Sequence, residues 1–137
     1  MPQDMAETPP VSRSFLIADD HPMVRDALAA ALSQAFAGAA LATAGSLGEV
    51  QAALDRQPEI DALLLDLDMP GMDGYAMCLA IKESLRTRTI PVILLTTLSS
   101  PANILQGLKS KADYYLTKPY APALLLARVQ ALLERPP

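Results

Sequence analysis

An acidic pair, Asp19-Asp20, closes a short apolar run, and a further acid, Asp66, closes another, with Asp68 two residues later. Thr96 ends a third such run and Lys118 follows a fourth. If the four runs are strands that end at one rim, three or four carboxylates, a hydroxyl and an ammonium meet there. Crowded carboxylates are costly unless a cation neutralises them. Oxygen-only ligands select a hard ion, and Mg²⁺ takes one or two carboxylates together with phosphate and water. Such a set suits Mg²⁺-assisted phosphoryl transfer. A carboxylate accepts the group, a cation offsets its charge, and Lys and Thr hold its oxygens. Single residues have plainer readings: Asp20 is also placed to cap a helix, and Thr96 to be an ordinary strand-end hydroxyl. The convergence is what argues for chemistry.

The elements that must position these residues alternate along the chain. Ser14–Ala18, Ala39–Ala44, Ala62–Asp66, Pro91–Thr96 and Tyr114–Thr117 read as strands. Pro22–Phe36 reads as a helix, with Pro22 suited to its first turn, apolar spacing at Met23, Ala27, Ala30, Ala31 and Ala35, and Gly38 at its end. Ser46 and Glu49 make a capping-box pair for a helix running to about Arg56. A Met69-Pro70-Gly71 loop precedes a helix over Asp73–Leu85, with Gly71 and Gly74 easing that loop and Met69, Met72 and Met77 read as packing residues. Ser99 or Ser100 caps a helix with Pro101 in its first turn, and Ala121–Glu134 is the last. The runs at Ala62 and Pro91 are apolar throughout, the pattern of parallel strands covered on both faces, with helices as right-handed crossovers. The expected fold is α/β: a doubly wound, flavodoxin-like, five-stranded parallel sheet of order 2-1-3-4-5, with its site beyond the carboxyl ends of the strands. A disordered tail is expected over 1–13 and one domain over 14–135.

Composition bounds the alternatives. The chain has 137 residues, one domain's worth, and its 51% hydrophobic and 19% charged residues make a foldable composition. A net charge of −4 is a poor basis for direct nucleic-acid binding, and the absence of Trp argues against base stacking. Cys78 is the only cysteine, which excludes a disulfide scaffold or Cys-based zinc site; it reads as a small buried apolar residue. His21 is the only histidine and reads as a loop-to-helix residue rather than a metal ligand. Met1–Arg13 lacks the apolar core of a signal peptide. The uncharged stretch Ala27–Gly48 is too rich in Ala and Gly for a membrane span, and reads as a helix, a turn and a buried strand. No membrane association is expected, and the expected location is cytoplasmic.

Four segments, IADDHPMVRDAL (Ile17–Leu28), LLLDLDMPGMDGYAM (Leu63–Met77), PVILLTT (Pro91–Thr97) and ADYYLTKPY (Ala112–Tyr120), give the chain a family likeness. It resembles the response-regulator receiver domains of two-component signalling from about Ser14 to Glu134. The resemblance implies that Asp66 accepts phosphate from a histidine kinase. It implies Mg²⁺ held by Asp19, Asp20 and Asp66 and by the backbone carbonyl of Asp68, with Asp20 the more direct ligand of the pair. Thr96 and Lys118 would bind phosphoryl oxygens, and Tyr115 would be an aromatic switch that turns inward as Thr96 moves. It also implies a cis peptide at Lys118–Pro119. Such a domain is not an enzyme beyond its own phosphorylation and dephosphorylation.

An aspartyl-phosphate phosphatase of the haloacid-dehalogenase type shares Asp66-Leu67-Asp68, then Thr96, then Lys118. Against it stand the position of Asp19-Asp20 ahead of everything, Met69-Pro70 after Asp68, and the lack of room for a cap domain. A scaffold-only receiver is disfavoured by the intact Asp66, Thr96 and Lys118. The family often has Gly where Lys111 stands, so Lys111 must accept a left-handed backbone or reshape the turn. Asp68 and Leu98 flank the path of an attacking water without orienting it, so a phosphorylated form lasting minutes or more is expected. With Pro136-Pro137 closing the sequence, output is expected through a partner, a phosphorelay or a domain outside this chain. A homodimer is expected through the last two helices and the strand between them, with Ile104 and Leu108 facing the core and Leu105 and Leu124 exposed.

Overall fold

The computed structural model describes residues 13–57, 59–69 and 73–135. Residues 1–12 of the tail expected over 1–13, and the expected roles of Gly71 and Met72, lie outside them. Ten elements alternate: β1 (Ser14–Ala18), α1 (Pro22–Ala35), β2 (Ala40–Ala44), α2 (Leu47–Arg56), β3 (Ala62–Asp66), α3 (Gly74–Glu83), β4 (Val92–Thr96), α4 (Pro101–Lys109), β5 (Tyr114–Thr117) and α5 (Pro122–Leu133). The five strands form one sheet of order β2-β1-β3-β4-β5, and every pairing is parallel. Arg13 already joins the ladder, since its carbonyl accepts the Ala40 N–H.

The continuous apolar runs are explained by two cores. Leu16, Ala18, Leu63, Leu65, Val92 and Leu94 pack with Val50 and Leu54 of α2 and Cys78 and Ile81 of α3. Their strand neighbours Phe15, Ile17, Leu64, Ile93 and Leu95 pack with Leu28 and Leu32 of α1 and Leu125, Val129 and Leu132 of α5. Alternate residues thus serve opposite faces, and both faces are apolar because both are covered. Caps fix the helix starts: the Ser46, Asp73 and Ser100 side chains accept from the N–H groups of Glu49, Ala76 and Asn103. No helix among the described residues is long and apolar enough to cross a membrane.

Three expectations are corrected. In α1 the core-facing residues are Leu28 and Leu32, whereas Met23, Ala27, Ala30 and Ala35 are exposed. Two leucines one turn apart bury far more apolar surface than a row of alanines, so they set which side of the helix faces the sheet. Strand β2 is not buried: only Ala44 is, because β2 is an edge strand. In α4, Ile104 and Leu108 are exposed together with Leu105, and the buried residue is Gly107. Lys111 takes the left-handed conformation, φ 67°, at the turn before β5, and Lys118–Pro119 is cis.

At the amino ends of the strands an ionic cluster closes the sheet. Asp113 accepts from the Val92 N–H at 2.7 Å, from Lys82 Nζ at 2.7 Å and from Arg135 at 2.8 Å. Lys82 also donates to the Ile90 carbonyl at 2.7 Å. Burial pushes the Asp113 carboxyl up, but the Lys82 contact, the Val92 N–H and Arg135 outweigh it and hold it below the usual range.

Candidate functional site

The opposite, carboxyl rim of the sheet gathers the residues singled out by type and spacing. Backbone bonds continue the ladders one residue past the strands: Asp19 N–H to the Ala44 carbonyl at 2.9 Å, Leu67 N–H to Leu95 at 2.8 Å, and Lys118 N–H to Thr96 at 2.7 Å. Asp19, Asp66 and Lys118 are thereby fixed at the carboxyl ends of β1, β3 and β5, with Thr96 at the end of β4 between the last two. Asp19, Asp66 and Thr96 are buried, with Asp66 fully so.

Asp66 Oδ1 accepts from Lys118 Nζ at 3.0 Å and from the Asp68 N–H at 2.9 Å. On the other side, Asp66 Oδ2, Asp19 Oδ2 and Asp20 Oδ1 are buried without a hydrogen-bond partner. One ligand atom from each of Asp19, Asp20, His21 and Asp66 lies within 4.8 Å of the others. Carboxylate oxygens gathered this closely from Asp19, Asp20 and Asp66 form a donor set suited to a hard divalent cation. Burial pushes the Asp66 carboxyl up, helped by the charge of Asp19, while the Asp68 N–H and Lys118 oppose the rise. Lys118 loses hydration, but Asp66 and Asp68 hold its ammonium above its ordinary value.

His21 stands at the N-cap of α1, a loop-to-helix position. Its Nδ1 lies 3.0 Å from Asp19 Oδ1 in a hydrogen bond and 2.9 Å from Asp20 Oδ1 as a charge contact. The bond to Asp19, then the charge of Asp20, raises its pKa. Asp20 does not cap α1, since no side chain accepts there.

Asp68 places its side chain on the Lys118 flank. Its carboxylate accepts from Thr96 Oγ1 at 2.8 Å and the Thr97 N–H at 2.9 Å, with Lys118 Nζ at 3.3 Å. Burial raises its pKa, but the bonds from Thr96 and Thr97 and the Lys118 charge outweigh it, so the group is held below the usual carboxylate range. An ionised, fully engaged carboxylate is no proton donor, which argues against the general-acid role that a phosphatase would assign to Asp68.

A chain of contacts leads outward from Thr96. Its Oγ1 accepts the Leu98 N–H at 3.0 Å, and the Leu98 carbonyl accepts from Tyr115 Oη at 2.6 Å. The Tyr115 ring is half-buried and lies against Gly107 of α4. Its hydroxyl is 3.0 Å from that of Tyr75, which donates to the Asn103 carbonyl at 3.4 Å. Sequence reading missed Tyr75 and Gly107, because nothing in the local pattern links residues 40 positions apart. A Cβ at Gly107 would sit 2.7 Å from Tyr115 Cε2. Gly107→Ala is therefore expected to push the ring off α4 and break its bond to Leu98. The helix-propensity gain of about 1 kcal/mol is outweighed by overpacking of about 1–3 kcal/mol. Ring resonances of Tyr115 that stay in place in this variant, with unchanged urea stability, would refute the seat.

A family model for the response regulator receiver domain matches residues 15–130. The chain is 40% identical over 121 residues to the DNA-binding dual master transcriptional regulator RpaA of Synechocystis, covering 88% of this chain and 49% of that protein. It is 37% identical over 126 residues to the phosphate regulon transcriptional regulatory protein PhoB of Pseudomonas aeruginosa, covering 91% of this chain and 53% of that protein. It spans about half the length of these relatives. It is similar in structure to the signal receiver domain of a DNA-binding response regulator from Colwellia psychrerythraea, with TM-score 0.84 and 29% identity over 90% of this chain and 99% of that one. With the parallel sheet of order 2-1-3-4-5 and the acidic rim already in place, these likenesses identify the chain as a member of the response-regulator receiver domain family.

Proposed function

We propose that this receiver, a single domain over residues 14–135, takes a phosphoryl group from a histidine kinase onto Asp66. The observation that carries the reading is the division of charge around Asp66: an ammonium on one of its oxygens, and orphaned carboxylate oxygens of Asp19 and Asp20 on the other side. Asp19, Asp20 and Asp66, with the Asp68 backbone carbonyl, would hold Mg²⁺, which supplies positive charge against the carboxylates and the incoming phosphoryl oxygens. The Asp66 carboxylate attacks phosphorus in line. An O–P bond forms, the P–N bond to the kinase histidine breaks, and the imidazole leaves with its electron pair. Lys118 and the Thr96 hydroxyl hold equatorial oxygens as the charge shifts. The domain acts on no external substrate beyond its own phosphorylation and hydrolysis.

Thr96, Leu98 and Tyr115 would carry the change to the α4-β5-α5 face. Output then passes to a partner, a relay or a further domain; the two regulators above are DNA-binding or transcriptional by name, and this acidic domain is not read as contacting nucleic acid itself. Its setting is the cytoplasm. Incubation with a small phosphodonor and Mg²⁺ tests the reading: the intact mass is expected to rise by one phosphoryl group, and EDTA to prevent it. A mass that never rises would overturn it.

The same face is proposed to form a symmetric dimer. Leu105 on α4 and Leu124 on α5 are exposed, 50% and 39%, and exposed apolar groups in numbers mark interaction sites. Light scattering with and without phosphodonor is expected to show more dimer when phosphorylated, and Leu124→Glu to abolish it. A monomer in both states at high concentration would exclude this surface.

A further inference from the structure

The donors that should receive a phosphoryl group are already occupied by one carboxylate. Thr96 Oγ1 and Lys118 Nζ, the two side chains assigned to phosphoryl oxygens, both contact Asp68, at 2.8 and 3.3 Å, and the Thr97 N–H adds a third contact at 2.9 Å. On the cation side, by contrast, Asp66 Oδ2 and Asp19 Oδ2 are buried without a hydrogen-bond partner. A carboxylate offers two anionic oxygens at hydrogen-bonding spacing, as a phosphoryl group does. Two residues past Asp66, and tied back to it through its own N–H at 2.9 Å, this anion is held close by the chain. Its effective concentration at the donors is therefore high.

We infer that Asp68 is a tethered anion occupying the phosphoryl-oxygen donors of Thr96 and Lys118, so that phosphorylation must displace its carboxylate. The inference rests on the phosphoacceptor reading of Asp66. Two consequences follow. The incoming group competes with a resident charge and is held less tightly than the donors alone allow. Thr96 also has an anionic acceptor before any phosphate arrives, and through Leu98 it keeps Tyr115 seated on α4 in the unphosphorylated protein.

Beryllofluoride, a phosphoryl analogue that binds carboxylates without transfer, separates these points. Titrations into the full chain with saturating Mg²⁺ are followed by amide and tyrosine-ring resonances for wild type, Asp68→Asn and Asp68→Ala. Both variants are expected to half-saturate at roughly tenfold lower beryllofluoride, the size of one charge interaction of moderate strength. In Asp68→Ala without ligand, the Tyr115 ring signals are expected to shift from their wild-type positions toward those that beryllofluoride gives the wild-type protein. Asp68→Asn keeps a carbonyl for Thr96 and Thr97 but no charge, so it stays informative if Asp68→Ala folds poorly. Equal or weaker binding in the variants overturns the tethered anion while leaving the acceptor role of Asp66 intact. Wild-type protein that binds no beryllofluoride overturns the acceptor reading, and the inference with it.

Discussion

Asp66→Asn is expected to remain at its unmodified mass under conditions where the wild-type chain gains one phosphoryl group, and to be more stable than wild type in the absence of Mg²⁺. The first effect follows from chemistry, since an amide oxygen is not a carboxylate nucleophile. The second follows from burial. Asp66 is fully buried beside Asp19, and burial raises its pKa in the folded state. A carboxyl whose folded pKa lies above its unfolded value of about 4 binds more protons when folded. Wild-type stability therefore falls as pH rises through the interval between the two values, a loss that the amide does not suffer. The new N–H₂ group also has acceptors at hand in the orphaned oxygens of Asp19 and Asp20. Lys118 keeps Asp68 as a partner. A gain on the order of 1 kcal/mol, the scale of one hydrogen bond, should appear in urea melts with EDTA and widen as pH rises above the unfolded carboxyl value of about 4. Phosphoryl label persisting in the variant would sink the assignment of Asp66; a gain that shrinks with pH would sink the electrostatic account.

The largest loss of stability is expected from Asp113→Ala, at the other end of the sheet. Lys82 and Asp113 side chains are 9% and 10% exposed. Removing the acid leaves an ammonium buried with the Ile90 carbonyl alone, and leaves the Val92 N–H at the start of β4 unpaired. Breaking one side of a buried pair costs about 3–5 kcal/mol. Because the Asp113 carboxyl is held below its usual range, this stabilisation is present above the unfolded carboxyl pKa. It is lost as pH falls through the folded value. Urea unfolding at pH 7 and pH 3 should show a wide gap between wild type and variant at pH 7 and a smaller one at pH 3. A difference below about 1 kcal/mol at pH 7 would mean that solvent already screens the pair.

How far the sequence reached depended on the range of each signal. Strand positions were legible because apolar runs such as ALLLD and PVILLT admit few alternatives, and each ends in the polar residue it presents. The parallel order followed from those runs and from the alternation with helices. Helix faces were harder. Counting alanines as equal to leucines in α1 misplaced the buried stripe, since a methyl group buries too little area to orient a helix. In α4 the expected leucine face was wrong because packing there is set by what Gly107 lacks, which makes room for an aromatic ring from β5. The rim residues Asp19, Asp20, Asp66, Thr96 and Lys118 were found because strand ends in such a sheet share one edge. The side-chain destination of Asp68 was not, since only three-dimensional register brings it to Thr96, 28 positions away.

The stacked tyrosines have a practical meaning for anyone watching this protein work. Tyr75 and Tyr115 lie with ring centroids 6.5 Å apart and planes 15° from parallel. The chain has four tyrosines and no tryptophan, so its near-ultraviolet chromophores are few and this close pair is expected to contribute to the near-ultraviolet circular dichroism. Two transition dipoles at that spacing couple, and the coupling depends steeply on their mutual angle. Any rotation of Tyr115 relative to Tyr75 is thus expected to change the protein's own spectrum, so movement of this ring can be followed without a dye or a tag.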